Sequence, residues 1–202
     1  MRAPFSFGQS RFNEKKATQA AAQFLNLSSG RMNYMKLIKL LYMLDRGALL
    51  GWGRPVTFDS YFSMKLGPVL SEVRDLITEQ RNPDLEPGFW GSHISDPSRF
   101  FVGLVDDPGS DELSEAEMQL IESIWKEYGH FPPFHLVEHL HKILPEWKEV
   151  QSGSLPIAYA DILKAGGKPP EEISAVEEDL RHLEKVRRMF AAPSVSTQLV
   201  SR

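Results

Sequence analysis

KLIKLLYMLDRGALLGWGRPVTFDSYFSMKLGPVLSEV, residues 36–73, changes its hydrophobic period half-way along. In the first half, Leu37, Ile38, Leu41, Leu44 and Ala48 recur at three and four, the stripe of a core-facing helix. Asn33 stands where its cap belongs, and Gly51-Trp52-Gly53 ends it. Lys36, Lys39 and Arg46 lie largely off the stripe. In the second half the period becomes two. Val56, Phe58, Ser60, Phe62, Met64 and Leu66 alternate with Thr57, Asp59, Tyr61, Ser63 and Lys65, which predicts a half-buried strand. Gly67-Pro68 then predicts a turn into a helix with Pro at its first position, inward through Val69, Val73, Leu76 and Ile77.

Outward from this stretch the pattern is mostly helical. Upstream, Asn13 caps a helix with Glu14 in its first turn, Ala17, Ala20, Ala21, Phe24 and Leu25 on one face, and Ser28-Ser29-Gly30 at its end. Downstream, 82–83 and 87–88 punctuate a loop, and 89–94 and 99–105 around Ser95 to Ser98 read as a hairpin. Ser114-x-x-Glu117 is a capping box opening a helix lined by Ile121, Ile124, Trp125 and Tyr128. Pro132-Pro133 starts the next, with Leu136, Val137, Leu140 and Ile143 inward, and a short helix follows over about 156–164. Pro169-Pro170 starts a long last helix with Ile173, Val176, Leu180, Leu183 and Phe190 as its stripe, acidic at first and basic at the end. The expected fold is mainly α (α+β): a single globular helical domain over 13–190, with a small antiparallel sheet, strand plus hairpin, inserted between helices. Residues 1–12 form a short arm and 191–202 a mobile tail.

Composition narrows the chemistry. The 202 residues include no cysteine, which removes disulfides, thiolate zinc sites, iron–sulfur clusters and a cysteine nucleophile. With 23 basic and 27 acidic residues the net charge is −4, which argues against a globally basic nucleic-acid binder. The most apolar stretch, 37–50, is interrupted by Lys39, Asp45 and Arg46 and falls short of the ~18 apolar residues of a membrane span. A cytoplasmic protein of bacterial type is expected, with no membrane partner and no cofactor.

His135-x-x-Glu138-His139 matches the inverted zinc-peptidase signature, since positions i, i+3 and i+4 share a helix face. That face lies opposite Leu136, Leu140 and Ile143 and so looks to solvent, with no clear third ligand downstream. A weaker metal site could draw on His130 or His141. Gly167-Lys168 lacks the rest of a phosphate loop. Lys36, Lys39, Arg46, Arg54, Lys65 and Arg74 would suit a winged-helix-like DNA-binding regulator, but Asp45, Asp59, Glu72 and Asp75 are interleaved as on a mixed solvated face. Trp52, Tyr61, Phe89, Trp90, Phe131 and Trp147 fall near turns, where aromatics act either as interface anchors or as lids of a core.

The 36–73 stretch resembles the Panacea domain, the family of SocA-like antitoxins and phage-associated relatives. The likeness rests on a K-L-x-K-L-L-Y helix (Lys36, Leu37, Lys39, Leu40, Leu41, Tyr42), a G-x-P turn (Gly53, Pro55), a strand ending in Lys65, and Gly67-Pro68-Val69 with Val73. Tyr128-Gly129, Leu140-His141 and Pro145-x-Trp147 extend it, Leu140 standing where the family has Thr, so that it covers roughly 14–185. The resemblance implies a non-enzymatic antitoxin that binds a cognate protein toxin, and an adaptor role delivering that toxin to a AAA+ protease such as ClpXP. Lys36, Lys39, Trp52, Tyr61, Lys65 and Trp147 are the expected partner contacts. Leu37, Leu41, Tyr42, Gly53, Pro55, Gly67, Pro68 and Val73 are the expected fold determinants.

Overall fold

The computed structural model describes residues 12–79 and 86–191. Phe12 apart, the expected arm lies outside the described residues, as do the break at 82–83 and, Ala191 apart, the tail. Among the described residues the chain forms α1 Glu14–Leu27, β1 Arg31–Asn33, α2 Tyr34–Trp52, β2 Tyr61–Met64, β3 Gly67–Leu70, α3 Ser71–Thr78, α4 Phe89–His93, β4 Phe101–Gly103, α5 Glu115–Tyr128, α6 Pro133–Ile143, β5 Leu155–Ile157, α7 Tyr159–Ala165 and α8 Pro170–Ala191. This is the expected α+β class, predominantly helical with little sheet, all of it antiparallel.

Local chemistry sets most helix ends. Asn13 accepts from Lys16 N (3.1 Å), and Asn33 from Met35 N (3.0 Å) and Lys36 N (3.4 Å). Ser114 and Glu117 exchange both bonds of the capping box. Gly53, with φ 72°, closes α2 by donating to Leu49 O. Helix α2 runs through the middle: every side chain from Leu37 to Asp45 is buried, with α1, α5, α6, α7 and β3 packed around it. Phe24, Leu25, Trp90, Ile121, Leu136, Leu140 and Ile162 complete the core from those neighbours.

The sheet departs from expectation in instructive ways. Its strand order is β3-β2-β5, with Tyr61 opposite Leu70 and Ile157, and Met64 opposite Gly67. The strand expected over 56–66 is only β2, and its inward face is the polar one. Thr57, Asp59, Tyr61 and Ser63 are buried, whereas Phe58, Phe62 and Met64 are half-buried and Ser60 and Leu66 exposed. The cause is Asp45 on α2. Its carboxylate accepts from Val56 N (2.9 Å), Thr57 N (2.9 Å), Thr57 Oγ1 and Tyr61 OH (2.9 Å), so the segment presents its donors inward.

Gly67-Pro68 does not start a helix. It belongs to β3, an edge strand where the missing N–H of Pro68 costs nothing, and α3 begins at Ser71. Asp59 supplies that helix's cap from the preceding loop, accepting from Glu72 N (2.9 Å) and Val73 N (3.0 Å). The first arm of the hairpin expected over 89–105 is helical instead, because Glu14 accepts from Trp90 N (2.8 Å) and Trp90 is wholly buried. β4 pairs with β1, Asn33 opposite Phe101 and Arg31 opposite Gly103. Ile143 and Leu183, expected inward, are exposed, and Phe190's side chain lies outside what is described.

Removing the acceptor that turns residues 56–61 inward strands two buried backbone N–H groups. Asp45→Ala is expected to lower unfolding stability by about 2–4 kcal/mol in urea titration. Asp45→Asn, which keeps an acceptor for both groups, is expected to cost clearly less.

Candidate functional site

The polar side chains of α2 each reach a different part of the chain. Lys39, 1% exposed, donates from Nζ to Pro68 O in β3 (2.6 Å). A Cβ at Gly67 would stand 3.3 Å from Lys39 Cε, 3.4 Å from its Nζ and 3.4 Å from His141 Nε2, and the φ of 96° there favours glycine independently. His141 stacks on Trp147 with ring centres 3.8 Å apart and planes 4° from parallel. Trp147 Nε1 donates to Met64 O (3.0 Å), and Lys148 N donates to Ser63 Oγ (3.1 Å). Buried Lys39 and half-buried His141 and Trp147 thus form a platform under the β2–β3 hairpin, whose tip is Lys65-Leu66.

Burial lowers the Lys39 ammonium to about 7. His141 is lowered by burial and by the charge of Lys39, and its buried Nε2 makes no hydrogen bond. Lys36 Nζ donates to Gly129 O (2.6 Å) and lies 5.2 Å over the Trp125 ring, so a cation closes the C-terminus of α5. Tyr42 OH (3.0 Å) and Arg46 Nε (2.7 Å) both donate to Glu146 Oε1, whose residue is 6% exposed. Tyr42 also meets Tyr61 edge-on at 5.6 Å, and Tyr61 packs on Tyr159 at 5.4 Å. Burial raises Asp45 to about 6 and Asp59 to about 7, against the donors that hold them.

These placements sort the sequence candidates. Lys39 and Tyr61 are inside, Lys36 and Trp147 half-buried, and Trp52 and Lys65 exposed. Leu37, Leu41, Tyr42 and Val73 are core residues, and Pro55, Gly67 and Pro68 are buried in turns or at the edge strand. Of the basic set between 36 and 74, Lys36, Lys39 and Arg46 turn inward and Arg74 binds Asp75 (2.5 Å), which breaks up a common basic face. Asp45 and Asp59, expected on a mixed solvated face, are buried hydrogen-bond centres. His135 and Glu138 look to solvent, while His139 stacks on Phe131 at 4.9 Å. No group of three His, Asp or Glu side chains placed to hold a metal occurs among the described residues. Glu146 carries no signal in the sequence, while Asp45 reads there only as a break in an apolar stretch and part of a mixed face, and His141 only as a weak metal candidate and a family position. An aspartate inside an otherwise apolar helix was the available signal, because such a group requires donors from elsewhere.

Residues 37–148 match the family described as antitoxin SocA-like, Panacea domain. The chain belongs to this family. The match opens at Leu37 and closes just past Trp147, so it contains Lys39, Gly67, His141 and Trp147, and it is narrower than the 14–185 expected. No curated protein and no solved structure matches the chain. No helix among the described residues of this Panacea domain is long and apolar enough to cross a membrane.

With Lys39 neutral when folded and protonated when unfolded, unfolding above pH 7 takes up a proton, so stability rises with pH. The Lys39 contribution approaches about 1.4 kcal/mol per pH unit between pH 7 and 9. Urea titrations of Lys39→Met over this range are expected to show a correspondingly flatter profile. A profile parallel to that of the unsubstituted chain would mean that Lys39 keeps its proton inside the fold.

Proposed function

We propose that this Panacea domain is an antitoxin that neutralises a cognate protein toxin by stoichiometric binding in the bacterial cytoplasm, with no catalytic step of its own. The match over residues 37–148 carries this reading. The disposition of the polar groups supports it. Lys39, Asp45, Asp59 and Glu146 are each bound to backbone or to a neighbouring side chain, so these four buried ionisable groups serve the fold. A binding module of this kind acts through its surface, about 800 Å² per partner in a standard interface. Among the residues singled out in the sequence, Trp52, 44% exposed, and Lys65 are the ones that reach solvent as contacts. Lys36, Lys39, Tyr61 and Trp147 act from beneath by fixing the surface elements. Delivery of the bound toxin to a AAA+ protease is the finer version of this reading.

Co-expression with a reading frame adjacent to its own gene, chosen because it arrests growth when expressed alone, tests the proposal. Growth arrest caused by that frame should be relieved and the two proteins should co-purify. Accumulation of toxin in the complex indicates blocking, whereas a fall in toxin level that depends on the protease indicates delivery. Persistent arrest with no co-purification contradicts the proposal.

A further inference from the structure

The β1–β4 ribbon ends in a turn with unusual occupants. Ser98 N donates to Phe101 O (2.8 Å) and Phe101 N to Ser98 O (3.0 Å), which leaves Arg99 and Phe100 as the two central residues. Both have positive φ, 51° and 69°. A two-residue hairpin turn with left-handed backbone at both positions suits Asn-Gly, and two long side chains hold it only against steric resistance. The backbone has an internal reason to come here, since Phe100 O accepts from Tyr34 N (3.0 Å) at the start of α2. That bond requires the turn and is indifferent to the side chains on it.

Those side chains have little internal employment. Phe100 is 68% exposed and makes a tilted ring contact with Tyr34 at 6.3 Å. Phe101 is 40% exposed and carries the Arg31 guanidinium 4.9 Å over its ring. Val105, 65% exposed, continues the outer face of β4, while Met32 and Val102 fill the inner one. Neither Arg31 nor Arg99 forms an ion pair with another described residue. Long side chains kept at two left-handed positions, where the bond to Tyr34 N requires only the backbone, are the mark of a recognition segment, and arginine and aromatic side chains are the usual anchors of interfaces.

We infer that this tip is a contact for the toxin, with Phe100 entering an apolar pocket and Arg31 and Arg99 meeting carboxylates at its rim. The inference rests on the antitoxin reading above. Charge selects the occupant: two unpaired guanidiniums stand out on a chain of net charge −4 and call for acidic partners. Asp106 and Asp107, exposed just after the ribbon, repel a continuous phosphate backbone, which favours a discrete acidic-rimmed pocket on a protein. The tip lies at the N-terminal end of α2, roughly 27 Å along that helix from Trp52, so the two surfaces can be tested separately.

The test uses the full chain and the purified product of the neighbouring reading frame. The double variant Arg99→Asn, Phe100→Gly gives the turn its preferred residues, so its thermal midpoint should equal or exceed that of the unsubstituted chain. Its affinity for the toxin should fall at least tenfold, with loss of growth rescue, while Phe134→Ala, at an exposed apolar side chain of α6, serves as the control. Arg99→Glu, which keeps Phe100 in place, should also weaken binding at least tenfold. Toxin binding within twofold of the unsubstituted chain by both tip variants overturns the inference and leaves the antitoxin reading standing. If the unsubstituted chain itself does not bind the toxin, both fail together. Binding of a mixed-sequence DNA duplex that the double variant abolishes also overturns it, in favour of a nucleic-acid contact.

Discussion

Helix α2 carries a lysine and an aspartate through a stretch that is buried on every side. A polar or charged group withdrawn from water costs several kcal/mol, roughly, unless it is given partners. That constraint arranges the rest of the structure. Lys39 reaches the carbonyl of Pro68 and ties down β3. Asp45 collects donors from Val56, Thr57 and Tyr61 and sets which face of that segment is inside. Tyr42 and Arg46 converge on Glu146 beyond α6, and Lys36 closes the end of α5. Segments up to about a hundred residues away are thereby placed by one helix, each through a bond of fixed geometry.

Elements whose cause is local were legible from the sequence. The caps at Asn13, Asn33 and Ser114 depend on residues within one turn, and the stripe through Leu37, Leu41 and Leu44 depends only on helical period. What could not be read has a distant cause. The face of β2 was assigned by hydropathy to Phe62 and Met64, because nothing near residue 60 announces that Asp45 will approach from α2. Pro68 suits a helix start and an edge strand equally well until the pairing with Ser63 is known. Residues 89–93 became helical because Glu14, far upstream, caps them.

The candidate site divides along the same line. Lys36, Lys39, Tyr61 and Trp147 were singled out because lysines and aromatics in such places are hard to explain by packing alone. The structure explains them through particular hydrogen bonds and one stacked histidine. Their companion Glu146 was missed and His141 was read only as a weak metal candidate and a family position, since their role exists only once α6 folds back against α2 and the hairpin. This separation has a consequence: substitutions at the exposed Trp52, Lys65 or Phe100 leave the internal side-chain bonds of α2 untouched, so the surface can change while the fold persists.

Lys39, a lysine of the matched segment, belongs to the interior. Lysine acylation of the folded chain at pH 8, read residue by residue by mass spectrometry, tests it most directly. Lys65, on the exposed hairpin tip, should label rapidly, and Lys39 should label only when urea unfolds the chain, even though burial lowers its ammonium to about 7. Labelling of Lys39 in the folded chain at a rate comparable to Lys65 would contradict the account.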